Sequence, residues 1–347
     1  MRDWALFFSP DAHVLALPGW QQPRLYLPAG RFDERWRASS FYPASRFRAR
    51  IHRLLLRTIA TAGLAGARTA RSDRWHLGEF IQETLPQAVS ASVLVGTPGP
   101  AQKITAQLRD EMGRIVGYLK YAEKGAARER LHREHLMLSS IPEGLGPEAL
   151  KYGVLGDGSA LLTTPILGSQ LPATLPPAEG VVGFSMTFTI SHPVPLEAHP
   201  WVCESRGGEG GRLLDACFEA LAGRHWPVVA QHGDFAPWNL LRTSEGAIRA
   251  FDWEYGTMKG FPYLDLIFYL LQTSALMYRW PPAKAIAYTI KFLTEEPWLG
   301  LSDTQVRALT RLAAFDAYHK ALDDGHTPDT GLQPWRREIW EGPVCGV

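Results

Sequence analysis

Apolar and polar positions alternate with a period of two in three short runs that begin near residue 90. The runs SASVLVG, KITAQLRD and IVGYLKYA are joined by the turn sequences GTPGPAQ and DEMGR. Such alternation is typical of strands with one buried face, and short Gly- and Pro-containing connections are typical of hairpins. The pattern predicts an antiparallel meander of three strands, and YGVLGDGSALLTTPIL predicts two more strands around a Gly-Asp-Gly turn.

Other stretches have the three-to-four-residue spacing of amphipathic helices. AARERLHREHLMLSSI follows the meander, GRLLDACFEALAG begins at residue 211, and apolar helical runs alternate with turns from residue 262 onward. The basic run ASRFRARIHRLLLRTIATAGLAG predicts a helix that packs on a neighbouring lobe in preference to a membrane or a nucleic acid. Residues 1–30 predict a small strand-and-turn unit, and the Pro-, Gly- and Ser-rich segment 167–210 is the part of the sequence in which elements are hardest to identify.

This order is an antiparallel sheet with one helix, a connector and a mainly helical second half, which predicts an α+β protein. We expect an N-terminal extension over residues 1–80, a sheet-dominated lobe over 81–166 and a helical lobe over 167–347. A chain of 347 residues, 46% of them hydrophobic, is long enough to bury a sizeable core in more than one domain.

Charge and cysteine content restrict the partners and the compartment. The formal net charge is +1, so no overall field attracts nucleic acid or an anionic membrane. The cysteines, Cys203, Cys217 and Cys345, are odd in number and lack metal-type spacing, which favours a reducing cytoplasm. The N-terminus lacks the apolar core of a signal peptide, and the richest apolar run, YLDLIFYLLQTSALMY, is too short to span a bilayer.

Two polar motifs carry the candidate chemistry. AQHGDFAPWNLL places His232, Asp234 and Asn239 in one loop, and AFDWEYG places Asp252 directly after an apolar strand. Phosphoryl transfer needs a base that orients the acceptor hydroxyl and oxygen ligands for Mg²⁺. Asp234 fits the base, whereas Asn239 and Asp252 fit the metal ligands. Ordinary polar turns would use the same residue types, and we favour catalysis because the preceding strands and helix supply the remaining parts.

Those remaining parts are candidates for nucleotide binding. Lys120 lies in the third strand of the meander and would steady the phosphates, and Glu134 of the following helix would pair with it, with Glu129 as a competitor. The turn with Gly96 and Gly99 would cover the nucleotide, although its two prolines lack backbone donors for phosphate.

The motifs HGDFAPWN, FDWEYG and FPYLDLIFYLL resemble those of the aminoglycoside phosphotransferase and choline kinase family, whose fold is similar to that of protein kinases. The resemblance implies a two-lobed protein-kinase-like fold, ATP and Mg²⁺ as cofactors, and a structural role for Asp265 in holding the loop. For His232, grouped with Asp234 in the catalytic loop, the resemblance favours bracing by hydrogen bonds over proton transfer.

We therefore expect an enzyme that transfers the γ-phosphoryl group of ATP to a hydroxyl of a small molecule. The alternative is a non-catalytic nucleotide-binding or scaffolding protein of the same fold. The acceptor stays open between an aminoglycoside, an amino alcohol and a sugar-like molecule. Residues 261–347 hold ten acidic residues against eight Lys and Arg, which is no clear excess for binding a polycation. Glu254 is either a second oxygen near the metal or a structural residue, and the pattern does not distinguish ATP from GTP.

Overall fold

The chain is divided into two compact units. The computed structural model describes residues 7–8, 11–41, 47–63, 66–70, 76–206 and 211–342. The first unit is Met1–Ser139 with Pro147–Ile166, and the second is Ser140–Gly146 with Leu167–Val347.

Eight strands in the described part of the first unit form one antiparallel sheet, in the order β3-β1-β2-β4-β5-β6-β8-β7. The strands are β1 (His13–Leu17), β2 (Leu25–Pro28), β3 (Ala67–Thr69), β4 (Ser90–Val95), β5 (Ile104–Arg109), β6 (Ile115–Ala122), β7 (Ala149–Leu155) and β8 (Gly158–Thr163). The predicted meander and the two later strands are therefore confirmed.

The N-terminal segment contributes to this same sheet. Leu25 and Tyr26 of β2 pair with Leu94 and Val93 of β4, so β1 to β3 extend the meander at its first edge. The strand-and-turn unit predicted for residues 1–30 is present. Its pairing with β4 covers a sheet edge that would otherwise expose unpaired backbone groups.

Helices cover the sheet of the first unit. They are α1 (Phe32–Ala38), α2 (Phe47–Thr61), α3 (His76–Gln82) and α4 (Gly125–Leu138). Leu56 and Ala60 of α2 are buried against Leu17 and Leu25, which accounts for the amphipathic pattern of this helix. On β6, Leu119 and Tyr121 belong to the main core, so the two-residue period turns Lys120 to the opposite face of the sheet.

The second unit is mainly helical, as predicted. Its helices are α5 (Val181–Met186), α6 (Pro200–Arg206), α7 (Gly211–Leu221), α8 (Leu264–Leu276), α9 (Pro282–Thr294), α10 (Asp303–Asp323) and α11 (Gln333–Trp340). Its short strands are β9 (Gly168–Gln170), β10 (Val194–Pro195), β11 (His225–Trp226), β12 (Val229–Gln231), β13 (Leu240–Thr243), β14 (Ile248–Ala250) and β15 (Thr257–Gly260). They pair as β10-β11, β12-β15 and β14-β13-β9.

Burial explains the two central helices of this unit. Residues Leu264 to Ser274 of α8 are all buried, as expected for a helix that is apolar on every side. Helix α10 begins with a capping box, in which the Ser302 side chain accepts the backbone N–H of Gln305. The elements found between residues 167 and 206 are only two to seven residues long, too short for a period to be recognised in the sequence.

Two further sequence expectations concern the membrane and the cysteines. No helix of the described ranges combines the length and the apolar content that crossing a bilayer requires. Cys203 and Cys217 are free thiols, exposed and buried respectively, and Cys345 lies outside the described residues.

Candidate active site

A hairpin brings the two polar motifs of the second unit together. In the register of β13 and β14, Leu240 pairs with Ala250. Asn239, which precedes β13, and Phe251, which follows β14, are therefore neighbours. The backbone N–H of Phe251 accordingly donates to the carbonyl of Asn239 at 3.0 Å. Asn239 and Asp252, thirteen residues apart in sequence, thus lie at the same end of the hairpin.

Asn239 holds Asp234 in place. Its Nδ2 donates to the carboxylate Oδ2 of Asp234 at 2.8 Å and to the backbone carbonyl of the same residue at 2.9 Å. These bonds orient the amide so that its carbonyl oxygen faces away from Asp234. That oxygen is a hard ligand of the kind Mg²⁺ prefers.

His232 braces the same loop through both ring nitrogens. Nδ1 accepts the backbone N–H of Asp234 at 3.2 Å, and Nε2 lies 3.0 Å from the carbonyl of Phe251, to which it donates. From these partners we assign the neutral tautomer protonated at Nε2. The fully buried ring therefore connects the two motifs through their main chains, which is the bracing arrangement expected from the sequence.

Asp265 of α8 binds the backbone of the same loop through both carboxylate oxygens. Its Oδ2 accepts the backbone N–H of His232 at 2.6 Å, and its Oδ1 accepts that of Gly233 at 2.9 Å. The expectation that this residue holds the loop is confirmed. Burial raises the pKa of Asp265 to about 6, although the two backbone N–H groups act in the opposite direction.

The carboxylates of this site repel one another. Burial raises the pKa of Asp234 to about 7, repulsion from Asp252 and then Glu254 adds to the rise, and the hydrogen bond from Asn239 opposes it. Asp252 itself adopts a left-handed backbone conformation, with φ of 70° and ψ of 55°, which Asp tolerates better than most residues. Its carboxylate acts electrostatically on that of Asp234.

This excess of negative charge fits a divalent cation held by few protein ligands. In the described ranges, no group of three or more His, Cys, Asp or Glu side chains is arranged to hold a metal ion. A carboxylate from Asp252 and the amide oxygen of Asn239 can contribute two ligands, and Mg²⁺ ordinarily completes its shell with water and phosphate oxygens. Glu254, which is buried, is close enough to add to the negative potential.

Gly233 meets two separate requirements of the loop. Its φ is +78°, and a Cβ at this position would lie 2.4 Å from the carbonyl oxygen of Tyr255 and 2.8 Å from Nζ of Lys320. The backbone of the loop therefore packs directly against neighbouring segments, which only glycine allows.

In the first unit, the predicted ion pair between Lys120 and Glu134 is present. Nζ of Lys120 lies 2.5 Å from Oε1 of Glu134, and the Glu134 side chain is only 1% exposed. The competitor Glu129 is exposed on the other side of α4. The buried carboxylate of Glu134 therefore fixes the position of the Lys120 ammonium group, on the face of the sheet opposite the core.

The two glycines of the β4-β5 turn differ. A Cβ on Gly96 would lie 2.6 Å from the carbonyl oxygen of Lys103, so this glycine is needed for the hairpin itself. Gly99 has open space around its Cα, and its carbonyl accepts a hydrogen bond from Lys124 at 2.7 Å.

Several polar residues around the loop were not identified from the sequence. Lys320 of α10 pairs with Asp316 at 2.6 Å, and Asp316 also accepts from Gln231 at 2.9 Å. The hydroxyl of Tyr255 donates to Asp324, and Arg336 of α11 is in electrostatic contact with Asp234. Asp316, Lys320, Asp324 and Arg336 are 82 to 102 positions away from Asp234, so no spacing rule could find them.

No protein-family model matches the chain, and no curated protein matches it. Among solved structures, the chain is similar to crystal structures of aminoglycoside phosphotransferase APH(4)-Ia. One has 17% identity and a TM-score of 0.45, covering 76% of this chain and 96% of that chain. Another, a thermostable mutant in a ternary complex with ADP and hygromycin B, has 16% identity and a TM-score of 0.44, with the same coverage.

The chain is also similar to an ethanolamine kinase from Plasmodium vivax, with 12% identity and a TM-score of 0.42, covering 90% of this chain and 93% of that one. These likenesses are of fold alone, and they carry no residue role or substrate to this protein. The chain is α+β, with an antiparallel sheet in its N-terminal part and a helical C-terminal part, and it is similar at low identity to small-molecule kinases of the aminoglycoside phosphotransferase and choline kinase type.

Proposed function

We propose that this protein transfers the γ-phosphoryl group of ATP to a hydroxyl group of a small molecule, in the presence of Mg²⁺. The observation that carries the proposal is the convergence of Asp234, Asn239 and Asp252 at one end of the β13-β14 hairpin. A base, a neutral oxygen ligand and a carboxylate ligand are the side chains that phosphoryl transfer asks of a protein.

Asp234 acts as the base in this proposal. The bond between the γ-phosphorus and the bridging oxygen breaks, which leaves ADP, while the acceptor oxygen bonds to phosphorus and its proton passes to Asp234. A carboxylate with a pKa near neutrality is suited to accept that proton. Asn239 keeps the carboxylate oriented toward the acceptor through its 2.8 Å hydrogen bond.

Asp252 and the carbonyl oxygen of Asn239 would hold Mg²⁺, which when bound offsets the charge of the phosphates. In the first unit, Lys120 would steady the α- and β-phosphates, and Glu134 fixes the direction of Lys120. The turn with Gly96 and Gly99 would lie over the nucleotide. His232 and Asp265 would serve as positioning residues, because each bonds the main chain of the loop.

The acceptor in this proposal is an aminoglycoside, an amino alcohol or a sugar-like molecule, and nucleic acid is not a partner. The reaction would take place in the cytoplasm, where ATP is supplied and free thiols persist.

The experiment is a measurement of ADP release with Mg²⁺ over a panel of acceptors, together with ATP binding. We expect Asp234→Ala to abolish ADP release and to leave ATP binding largely intact. Asp215→Ala, a change of an exposed aspartate on α7, is the matched control. Unchanged turnover in Asp234→Ala would remove the assignment. ATP binding without ADP release for every acceptor would favour the non-catalytic, scaffolding alternative.

A further inference from the structure

Arg336 on the C-terminal helix α11 is fixed along one edge of its guanidinium group. Nη1 donates to the carbonyl of Ala317 at 3.0 Å and lies 3.1 Å from Oε1 of Gln333, to which it also donates. Gln333 is itself buried and donates to the carbonyl of Tyr318 at 2.9 Å. Ala317 of α10 and Gln333 of α11 therefore fix the position of the Arg336 guanidinium.

That place is next to the loop of Asp234. Ala317, whose carbonyl anchors Arg336, packs in one cluster with Ala236 and Trp238, which follow Asp234 by two and four residues. The charge of Arg336 lowers the pKa of Asp234, and burial lowers the pKa of Arg336 while Asp234 and then Tyr255 act to raise it. The contacts place the residue that anchors Arg336 beside the loop, and the electrostatics place the charge of Arg336 within reach of Asp234.

The acidic group that acts on the charge of Arg336 is Asp234, without a direct ion pair. Within the described ranges, no carboxylate lies at ion-pairing distance from it, and Nη2 and Nε make no hydrogen bond. The other carboxylates near the loop are engaged: Asp265 with backbone N–H groups, Asp316 with Lys320, and Asp324 with Tyr255. Nη2 and Nε of Arg336 are therefore donors beside the loop that the described residues leave unused.

We propose that Arg336 forms an anion-binding subsite beside Asp234, so that the phosphoryl acceptor carries an anionic group a few bonds from the hydroxyl that reacts. This inference rests on the proposed function and gives its substrate class. A guanidinium presents donors in a planar fork that matches a carboxylate or a phosphate, and a partly buried cation is stabilised by such a partner. A polycationic acceptor would instead meet the positive charge of Arg336 beside Asp234.

The first test measures anion binding without turnover. Thermal unfolding is followed with increasing malonate or inorganic phosphate for the wild type, Arg336→Gln and Arg337→Gln. Arg337 is the matched control because it occupies the next position of α11 and pairs with the exposed Asp329 at 3.7 Å. We expect saturable stabilisation of the wild type and of Arg337→Gln, and none of Arg336→Gln. Equal stabilisation of all three proteins, or no stabilisation of the wild type, overturns the subsite.

Arg336→Lys distinguishes a loss of anion binding from a loss of folding. It preserves a positive charge but not the fork, so we expect weakened anion binding with an unliganded melting temperature near that of the wild type. If Arg336→Gln does not fold, binding by Arg336→Lys as tight as that of the wild type overturns the forked contact.

The second test compares acceptors that differ in one anionic group. ADP release is measured with glycerate and glycerol 3-phosphate against glycerol, and with gluconate against sorbitol, ethanolamine and hygromycin B. We expect the anionic acceptors to be preferred, and Arg336→Gln to raise their KM about 10- to 100-fold while the KM for ATP is unchanged. Glycerate against glycerol 3-phosphate distinguishes a carboxylate from a phosphate.

The outcomes separate the two proposals. Preference for ethanolamine or hygromycin B, with no effect of Arg336→Gln, overturns the subsite and leaves phosphoryl transfer standing. Arg336-dependent anion binding without ADP release from any acceptor counts against phosphoryl transfer and leaves the binding subsite standing.

Discussion

Asp265 and Gly233 form a direct link between a buried helix and the loop that carries the proposed base. The carboxylate Oδ1 of Asp265 accepts the backbone N–H of Gly233 at 2.9 Å, next to the 2.6 Å bond that its Oδ2 accepts from His232. Helix α8 is buried on every side, so its position is fixed by core packing. The two hydrogen bonds therefore restrain the main chain at Gly233, one residue before Asp234, relative to the packed core.

Gly233→Ala should destabilise the protein more than a change at a glycine with the same backbone conformation and free space. Gly246 has φ of +85° and nothing within 4 Å of the added Cβ, so Gly246→Ala measures the conformational cost alone. We expect that cost to be about 1 kcal/mol, and the cost at Gly233 to exceed it because of the contact with Tyr255. Urea unfolding of both variants provides the measurement. Equal losses would show that the close approach to Tyr255 is relieved at no cost.

Asp265→Asn should change how stability depends on pH. Burial raises the pKa of Asp265 to about 6 from an ordinary value of 3.8, so the folded protein retains this proton to higher pH than the unfolded chain does. The stability that follows from proton uptake is complete below about pH 4 and is lost as the pH rises through about 6. Between pH 4 and 7, the free energy of unfolding of the wild type should fall by about 2–3 kcal/mol relative to the variant.

The measurement for Asp265 is urea unfolding of both proteins at several pH values and constant ionic strength. Lys320 and Asp316 also act on this carboxyl and are present in both proteins, so the difference isolates residue 265. Parallel pH profiles for wild type and variant would contradict the raised pKa.

His232→Ala should lower turnover without moving the pH profile of the reaction. The ring bonds the main chain at Asp234 and Phe251, so its loss should loosen the relation between the proposed base, Asp234, and the proposed metal ligand, Asp252. Misplacement of reacting groups by about 1 Å costs on the order of 10²-fold in rate. We expect kcat to fall and the midpoints of the pH profile to remain, because in the proposed mechanism His232 takes no proton from the substrate. A lost limb of the profile would indicate a proton-transfer role instead.

Lys120→Met should destabilise the first unit as well as weaken ATP binding. The change removes the ammonium group that offsets the buried charge of Glu134, and breaking a buried pair on one side costs about 3–5 kcal/mol. The double variant Lys120→Met with Glu134→Leu should regain most of that stability and still fail to bind ATP. Glu129→Gln, on the exposed side of α4, should match the wild type in both measurements. ATP binding by the double variant would exclude Lys120 as the phosphate ligand.

Glu134, and not Glu129, pairs with Lys120 because the two glutamates lie at different angular positions around α4. Five residues of an α-helix turn through about 500°, which places the two carboxylates on different sides of α4. The sequence shows that both could reach the strand, but which side of α4 faces the sheet depends on the burial of Leu131 and Ala127. The sequence therefore narrowed the choice to two residues, and packing selected one.

The sequence by itself determined the strand meander, the helical second half and the loop motifs, because each depends on residues within about fifteen positions of one another. Two-residue alternation fixes which face of β6 carries Lys120, and a short hairpin brings Asn239 and Asp252 together through local register. Such relationships are set by backbone geometry, which is the same in any protein.

Only the tertiary structure decided which distant residues lie beside the loop of Asp234 and which strands complete the sheet. Arg336 reaches the loop of Asp234 because α11 packs on α10, and β2 joins β4 because both bury a face in neighbouring cores. Contacts of this kind arise from the packing of whole elements, whose relative positions depend on the summed burial of many side chains. Neither the hydrophobic period of a segment nor a local motif therefore predicts these contacts.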